Sequence, residues 1–334
     1  MKCVAYKSNN MNTPLDDMKA KYDYLSKSID IENIKNMLCM CSDYEKINKN
    51  ITDEDLKKAG KRRRVVLITG ASSGIGEKSA LALLDKGFIV YGAARRRDKL
   101  KELEAKGVKT IILDVTDDKS MIDCVDYIIK KEGRLDVLVN NAGYGSYGAV
   151  EDVDMEEARR QIEVNLFGLA RMTQLVLPHM RKRKYGRIIN IASMGGRIWT
   201  PFGAWYHATK FAVEGFSASL RLEVKPFGID VVVVEPGGIK TDWGIIAAEN
   251  LEKVTLKGAY KEAGIKTAEN MRRVYSEDGL TKPEVIGNCV AKAATAKRPK
   301  TRYLLGFGAK PAAYTQKIFG DRVYDKLIST MYGL

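Results

Sequence analysis

From Val65 onward, apolar residues fall into two alternating kinds of run. Short runs rich in β-branched residues, "VVLIT", "FIVYGAA", "KTIILDV", "LDVLVNN", "GRIINIAS" and "IDVVVVEPGG", carry few polar residues. Strands buried on both faces have this composition, because neither side meets water. Between them lie longer amphipathic stretches: about 74–86, "RDKLKELEAKG", "DDKSMIDCVDYIIKKEG", two stretches over about 154–182, and the segment carrying Tyr206. This alternation predicts a doubly wound α/β fold, a parallel sheet with helices on both faces and right-handed crossovers. The segment from 242 to about 280 is expected to form a helical lid. Residues 1–64 are different. They are rich in Asn, Lys, Asp and Met and carry no chemical motif, which predicts a small helical or partly disordered extension before a catalytic unit over 65–334.

The first strand runs straight into "TGASSGIG", Thr69 to Gly76, and then into a helix. Glycines there permit a tight turn and close backbone approach, and the helix start offers free N–H groups to a pyrophosphate. A glycine-rich turn between the first strand and first helix of a βαβ unit is a dinucleotide site. The end of the second strand discriminates between cofactors, since an acid accepts from a ribose 2′-hydroxyl while arginine accommodates a 2′-phosphate. This chain has Ala93 and Ala94, then Arg95 and Arg96, with no acid before Asp98. The pattern points to NADP(H), with Arg95 as first choice and Arg96 as second. Asp114, ending the third apolar run, is placed to meet an adenine edge.

"YHATK" sets Tyr206 and Lys210 four apart, on one face of a helix. An ammonium beside a phenol favours the phenolate, so the pair can exchange protons near neutrality. The spacing alone is common by chance. With "TGASSGIG", "NNAG" (Asn140 to Gly143), "NIAS" ending at Ser193, and "EPGG" in this order and spacing, the chain resembles the short-chain dehydrogenase/reductase family over about Val65 to Arg298. "VYGAARRRDKL" and "NNAGYGSYG" are most similar to the branch of 17β-hydroxysteroid and retinol dehydrogenases.

The resemblance implies a Rossmann-type fold and a catalytic tetrad of Asn165, Ser193, Tyr206 and Lys210. Tyr206 would serve as proton donor and acceptor, with Ser193 sharing the same oxygen, Lys210 on the cofactor ribose and Asn165 holding a water. It extends the cofactor set to Gly70, Ser72, Ser73, Gly74, Ile75 and Gly76, to Val115, to Asn141, Ala142 and Gly143, and to Pro236, Gly237, Ile239 and Thr241. It also implies a homodimer or homotetramer, built on the helices around Val164–Met180 and Ala208–Val224. A hydrolase reading of Ser193 fails, because "IASMG" is no nucleophile elbow and His179 and His207 have no evident base role.

Six aromatics, Tyr144, Tyr147, Trp199, Phe202, Trp205 and Trp243, fall in segments near the carboxyl ends of the strands. They suggest an apolar pocket for a hydroxysteroid, retinoid or similar bulky ketone. A fatty or polyketide-type carbonyl is the enzymatic alternative, and a non-catalytic NADPH sensor is the alternative of a different class. Composition narrows the field further. The 334 residues carry a net charge of +14, in separate runs at 61–64, 95–97 and 181–184 without a nucleic-acid-binding motif around them. Five scattered cysteines and two histidines predict neither a disulfide framework nor a metal site. With no signal peptide and no membrane-length apolar run, the expected compartment is cytoplasmic.

Overall fold

The structure is a computed structural model that describes residues 63–256, 258–276 and 279–332. The expected N-terminal extension lies outside these residues except for Arg63 and Arg64. Both anchor the first strand. Arg63 donates to the carbonyls of Gly87 and Phe88, and Arg64 donates to the Ala294 carbonyl and stacks 4.5 Å over the Phe88 ring.

Seven parallel strands form one sheet: β1 (Val65–Thr69), β2 (Ile89–Ala94), β3 (Lys109–Ile112), β4 (Val137–Asn140), β5 (Gly186–Ile191), β6 (Ile229–Pro236) and β7 (Arg302–Leu305). Their spatial order is β3-β2-β1-β4-β5-β6-β7. The order reverses beside β1, where β2 pairs on one side and β4 on the other, so a crevice opens above the carboxyl ends of β1 and β4. The central strands are buried on both faces, as their unbroken Val/Ile/Leu runs require.

Two cores flank the sheet. On one face α1 (Gly74–Asp85), α2 (Arg97–Glu104) and α9 (Pro283–Thr295) pack Leu83, Leu100, Leu103, Ile286 and Val290 against Ile68, Val139 and Val232. On the other, α3 (Asp118–Glu132), α5 (Gly168–Lys182) and α6 (Ala204–Val224) pack Val125, Ile128, Met172, Val176 and Leu220 against Leu67, Leu138 and Ile188. Local signals set several helix ends. The Asp117 carboxylate caps α3 by accepting from the N–H groups of Lys119 and Ser120, and Gly133 ends it at φ 69°. Asp154 caps α4 (Met155–Ile162).

Between α4 and α5 the chain takes one wide π-helical turn, Glu163–Phe167, where the sequence predicts two helical stretches. After β6, α7 (Trp243–Thr255) and α8 (Lys261–Ser276) occupy the segment expected as a lid. Pro283 at the first position of α9 suits its missing N–H. The last helix, α10 (Ala309–Tyr332), is broken at Gly320, whose φ of 75° is open to glycine at no steric cost.

Candidate active site

Each predicted motif leaves a strand at the same edge of the sheet. Ser193 follows β5, and its hydroxyl accepts from the Gly195 N–H at 3.0 Å. That leaves the hydroxyl proton available to donate, and Ser193 acts on the Tyr206 phenol in the direction that favours its ionised form. Tyr206 stands in the first turn of α6, buried, with the Lys210 ammonium 5.8 Å from its ring centre. Burial pushes the phenol up to about 12, and Ser193 offsets this only in part. Burial pulls Lys210 down to about 8, against the opposing charge of Glu214 one turn on. The sequence argument weighed only the ammonium's charge, whereas desolvation dominates for both groups in the folded chain.

Lys210 donates to the Ile191 carbonyl at 3.0 Å. Asn165, in the π-helical turn, is clamped across Tyr144. It accepts the Tyr144 N–H at 3.0 Å and donates to the Tyr144 carbonyl at 2.9 Å and to Thr209 Oγ1 at 3.1 Å. Both amide hydrogens are thereby used, with one lone pair of Oδ1 left over. A Cβ at Gly143 would lie 3.0 Å from that oxygen and 3.8 Å from Lys210 Nζ. Only the missing side chain keeps the gap between them open.

Sequence reasoning missed His207. Its Nε2 lies 3.0 Å from the Thr200 N–H, which can only donate, so Nδ1 carries the proton and donates to the Gly195 carbonyl at 2.9 Å. Burial holds the ring below its usual pKa and therefore neutral. It staples the loop after Ser193 to α6. Behind Lys210, Glu214 and the fully buried Glu235 lie close enough to act on each other, and burial first, then the neighbouring Glu214 carboxyl, raises Glu235. Arg197 donates to Glu235 at 2.8 Å, tying the same loop to β6, and Arg302 donates to Glu214 at 2.9 Å, tying β7 to α6.

Of the six predicted pocket aromatics, the structure gathers three around Tyr206. Trp243 lies 5.0 Å and Tyr147 5.9 Å from its ring, and Phe202 packs in the same cluster. Tyr144 turns its hydroxyl to Glu157 at 2.9 Å. Trp199 packs on Tyr324 and donates to Asp325. Trp205 joins no aromatic group, and its indole N–H is buried without a hydrogen-bond partner among the described residues. Three unforeseen residues complete the enclosure. Tyr275 of α8 lies 6.3 Å from Trp243, Tyr260 packs on Phe202, and Tyr332 lies close enough to Tyr147 to add to the rise that burial gives its phenol.

At the other end of the crevice, Gly70 and Gly74 have φ of 67° and 55°. A Cβ on Gly76 would lie 2.3 Å from the Gly70 carbonyl oxygen, so glycine is required there for α1 to approach β1. Ser73 at the α1 N-terminus makes no side-chain cap, which leaves the first-turn N–H groups for an anion. The Ser72 and Ser73 hydroxyls instead hold the Arg96 guanidinium at 3.0 and 2.8 Å. Arg95 lines a cleft of about 240 Å³ with Tyr144, Arg160 and Asn250. Asp114 accepts from the Thr116 N–H and hydroxyl and feels both Arg95 and Arg160. Val115 backs onto Gly168, Asn141 ties Thr69 to Gly70, and the Thr241 methyl faces Gly74. Gly237 is fixed to Leu305, and Ile239 is buried beside β7. Uncapped helix N–H groups, left-handed glycines and the Arg96 guanidinium held by the serines of the glycine turn fit a dinucleotide whose phosphates reach this edge.

Comparison with known proteins agrees with this architecture. The short chain dehydrogenase family profile matches residues 64–251. The chain is 38% identical to 3-ketodihydrosphingosine reductase of Bacteroides thetaiotaomicron, over 73% of its own length and 88% of the relative's. It is similar to the crystal structure of a short-chain dehydrogenase from Streptomyces avermitilis, with TM-score 0.67, 34% identity, and 80% and 95% of the two chains covered. A serine dehydrogenase complexed with NADP+ gives TM-score 0.64 at 26% identity, covering 72% and 94%. The chain belongs to the short-chain dehydrogenase/reductase family, oxidoreductases that use NAD(H) or NADP(H).

Proposed function

We propose that the protein reduces a ketone carried by a bulky apolar molecule to the secondary alcohol, at the expense of NADPH. The observation that carries this reading is a buried phenol, under the influence of Ser193 and enclosed by Tyr147, Phe202 and Trp243. A phenol held un-ionised suits proton donation. Tyr206 protonates the carbonyl oxygen, and the free Ser193 proton steadies the charge growing there. NADPH, when bound, supplies the hydride. Lys210 spends one N–H on Ile191 and keeps the others for the ribose hydroxyls and for a water in the gap at Gly143 and Asn165. The roles expected of the tetrad, Asn165, Ser193, Tyr206 and Lys210, are thus ones its geometry supports.

For the cofactor, Arg96 is the better placed of the two arginines, since the glycine-loop serines hold it. Arg95 adds charge from the side of the neighbouring cleft, and the absence of an acid at Ala94 favours NADPH over NADH. The NADP+ named for the serine dehydrogenase structure supports the same choice. For the substrate, the sequence resemblance points to hydroxysteroids or retinoids. The name of the Bacteroides relative points to a 3-keto lipid. The 38% identity favours the lipid, a fatty carbonyl of the kind the sequence left as an alternative.

A homodimer or homotetramer is the assembly we propose, because Phe167, Phe211 and Leu222 stand exposed at or on the helices expected to pair. Among the described residues no helix is long and apolar enough to cross a membrane, and a cytoplasmic location accords with that. The test is NADPH consumption with 3-keto lipids, steroids, retinoids and aliphatic ketones. Turnover of the apolar ketones is expected. Binding of NADPH with no turnover of any of them would leave only a sensing role.

A further inference from the structure

Seven of the nineteen large hydrophobic side chains exposed among the described residues fall between 307 and 331. They are Phe307, Tyr314, Ile318, Phe319, Val323, Leu327 and Met331, with Ile318 69% and Met331 63% exposed. Their spacing is regular. Tyr314 and Ile318 share one face of the first half of α10, and Val323, Leu327 and Met331 share one face of the second half. The opposite faces are occupied by Ala309, Ala313, Tyr324 and Ile328, which pack inward. Each half of α10 satisfies its core contacts and still carries an apolar row on its outer face, which marks a surface built for a second partner.

Charge identifies that partner. Lys310 and Lys317 flank the Tyr314–Ile318 pair, and Arg322 and Lys326 flank the Val323–Leu327–Met331 row. The acids of the helix, Asp321 and Asp325, accept from Gln316 and Trp199 and leave the four cations in excess. An apolar stripe bordered by cations is the composition of a helix lying in an anionic lipid interface. A second copy would bring the same cations face to face, in a chain already at +14. The inner face of the same helix packs on the loop before α6, where Tyr324 donates to the Trp199 carbonyl, and Tyr332 lies close enough to Tyr147 to add to the rise that burial gives its phenol.

We propose that the outer face of α10 docks on an anionic phospholipid bilayer and holds the mouth of the pocket at the membrane surface. The inference deepens the apolar-ketone reading and rests on it for the use of the site, though the docking itself is measured without substrate. The full chain is sedimented with vesicles of equimolar phosphatidylcholine and phosphatidylserine, and with phosphatidylcholine alone. Binding to the anionic vesicles, reversed by salt, is expected. I318D/L327D, at two exposed positions outside the tetrad, should lower that partition by about tenfold or more. K317E/K326E should abolish the preference for anionic vesicles. Both variants should turn over a water-soluble ketone with NADPH at the rate of the natural chain, and I318D/L327D should raise KM only for vesicle-borne substrate.

Unchanged vesicle binding by I318D/L327D would overturn the proposal, as would a natural chain that stays in solution. A fall in oligomer size on I318D/L327D substitution, read by sedimentation without lipid, would assign the stripe to a second copy instead. Turnover without vesicle binding defeats docking and leaves the reductase reading intact. Vesicle binding without turnover does the reverse.

Discussion

The state of Tyr206 makes the two directions of the reaction respond differently to pH. Burial pushes its phenol from 10.0 up to about 12. At pH 7 such a group is ionised in about one molecule in 10⁵, against about one in 10³ for an exposed tyrosine. The hundredfold deficit corresponds to about 2.7 kcal/mol against any step that begins with the phenolate. Alcohol oxidation begins there; ketone reduction begins with the phenol. The oxidative kcat/KM, which reports ionisations of the free enzyme, should therefore climb about tenfold per pH unit from pH 6. The climb should become shallower above about 8, where Lys210 loses the charge that favours the phenolate. Reduction should stay level over the same range. The assay is initial rates in both directions with one alcohol–ketone pair, alongside Y206F, which keeps the ring and should lose about 10²–10⁴ in rate. An oxidative profile already flat at pH 6 would mean that an ionised base exists in the free protein, and the desolvation argument would fall.

Three further outcomes follow from separate parts of the molecule. Replacing Ala94 with Asp together with R95A/R96A should invert the preference for NADPH over NADH in kcat/KM, because a charge-assisted contact is worth about 1.5–3 kcal/mol; an unchanged ratio would show that these arginines do not read the cofactor. A carboxyl whose folded pKa lies above its unfolded value adds stability below the ordinary carboxylate range and loses it as pH rises through the folded value. Burial raises Glu235 in this sense. E235Q imitates the neutral acid, so its melting temperature should fall less than that of the natural chain between pH 4.5 and neutrality, and parallel curves would contradict the assignment. Sedimentation at micromolar concentration should show a dimer or tetramer that F211E/L222E reduces to monomer; a natural monomer would rule out pairing through these helices.

The sheet was largely legible because a strand covered on both faces has no choice but to be apolar, and β1 and β5 announce themselves in this way. The glycine turn and the tetrad were legible for a similar reason, since each position tolerates few residue types. What escaped was decided by packing between distant segments. Tyr275 and Tyr332 reach the pocket only because α8 and α10 fold back over it, and no local pattern marks them. Four-residue β7 lacks a long apolar run because it borders the sheet and stays half-exposed. Arg95 and Arg96 are neighbours in the bend after β2 and meet different partners, so composition alone could not say which meets the glycine loop. Trp199 and Trp205 illustrate the same limit, since a loop fixes a residue's neighbourhood without fixing its direction.

The wide turn at Glu163–Phe167 inserts a phase shift between α4 and α5. π-Helical turns are rare and cluster at functional sites because regular α-helix is the more comfortable state. This one aims Asn165 across the Tyr144 backbone. Deleting a single residue within it would let α4 and α5 anneal into one continuous α-helical rod. The rod would draw Asn165 off Tyr144, and with it the support for the gap beside Lys210. Selection for heat resistance alone would thus tend to erase the insertion, whereas selection for turnover would keep it. Its persistence in a lineage would be a record of which pressure acted.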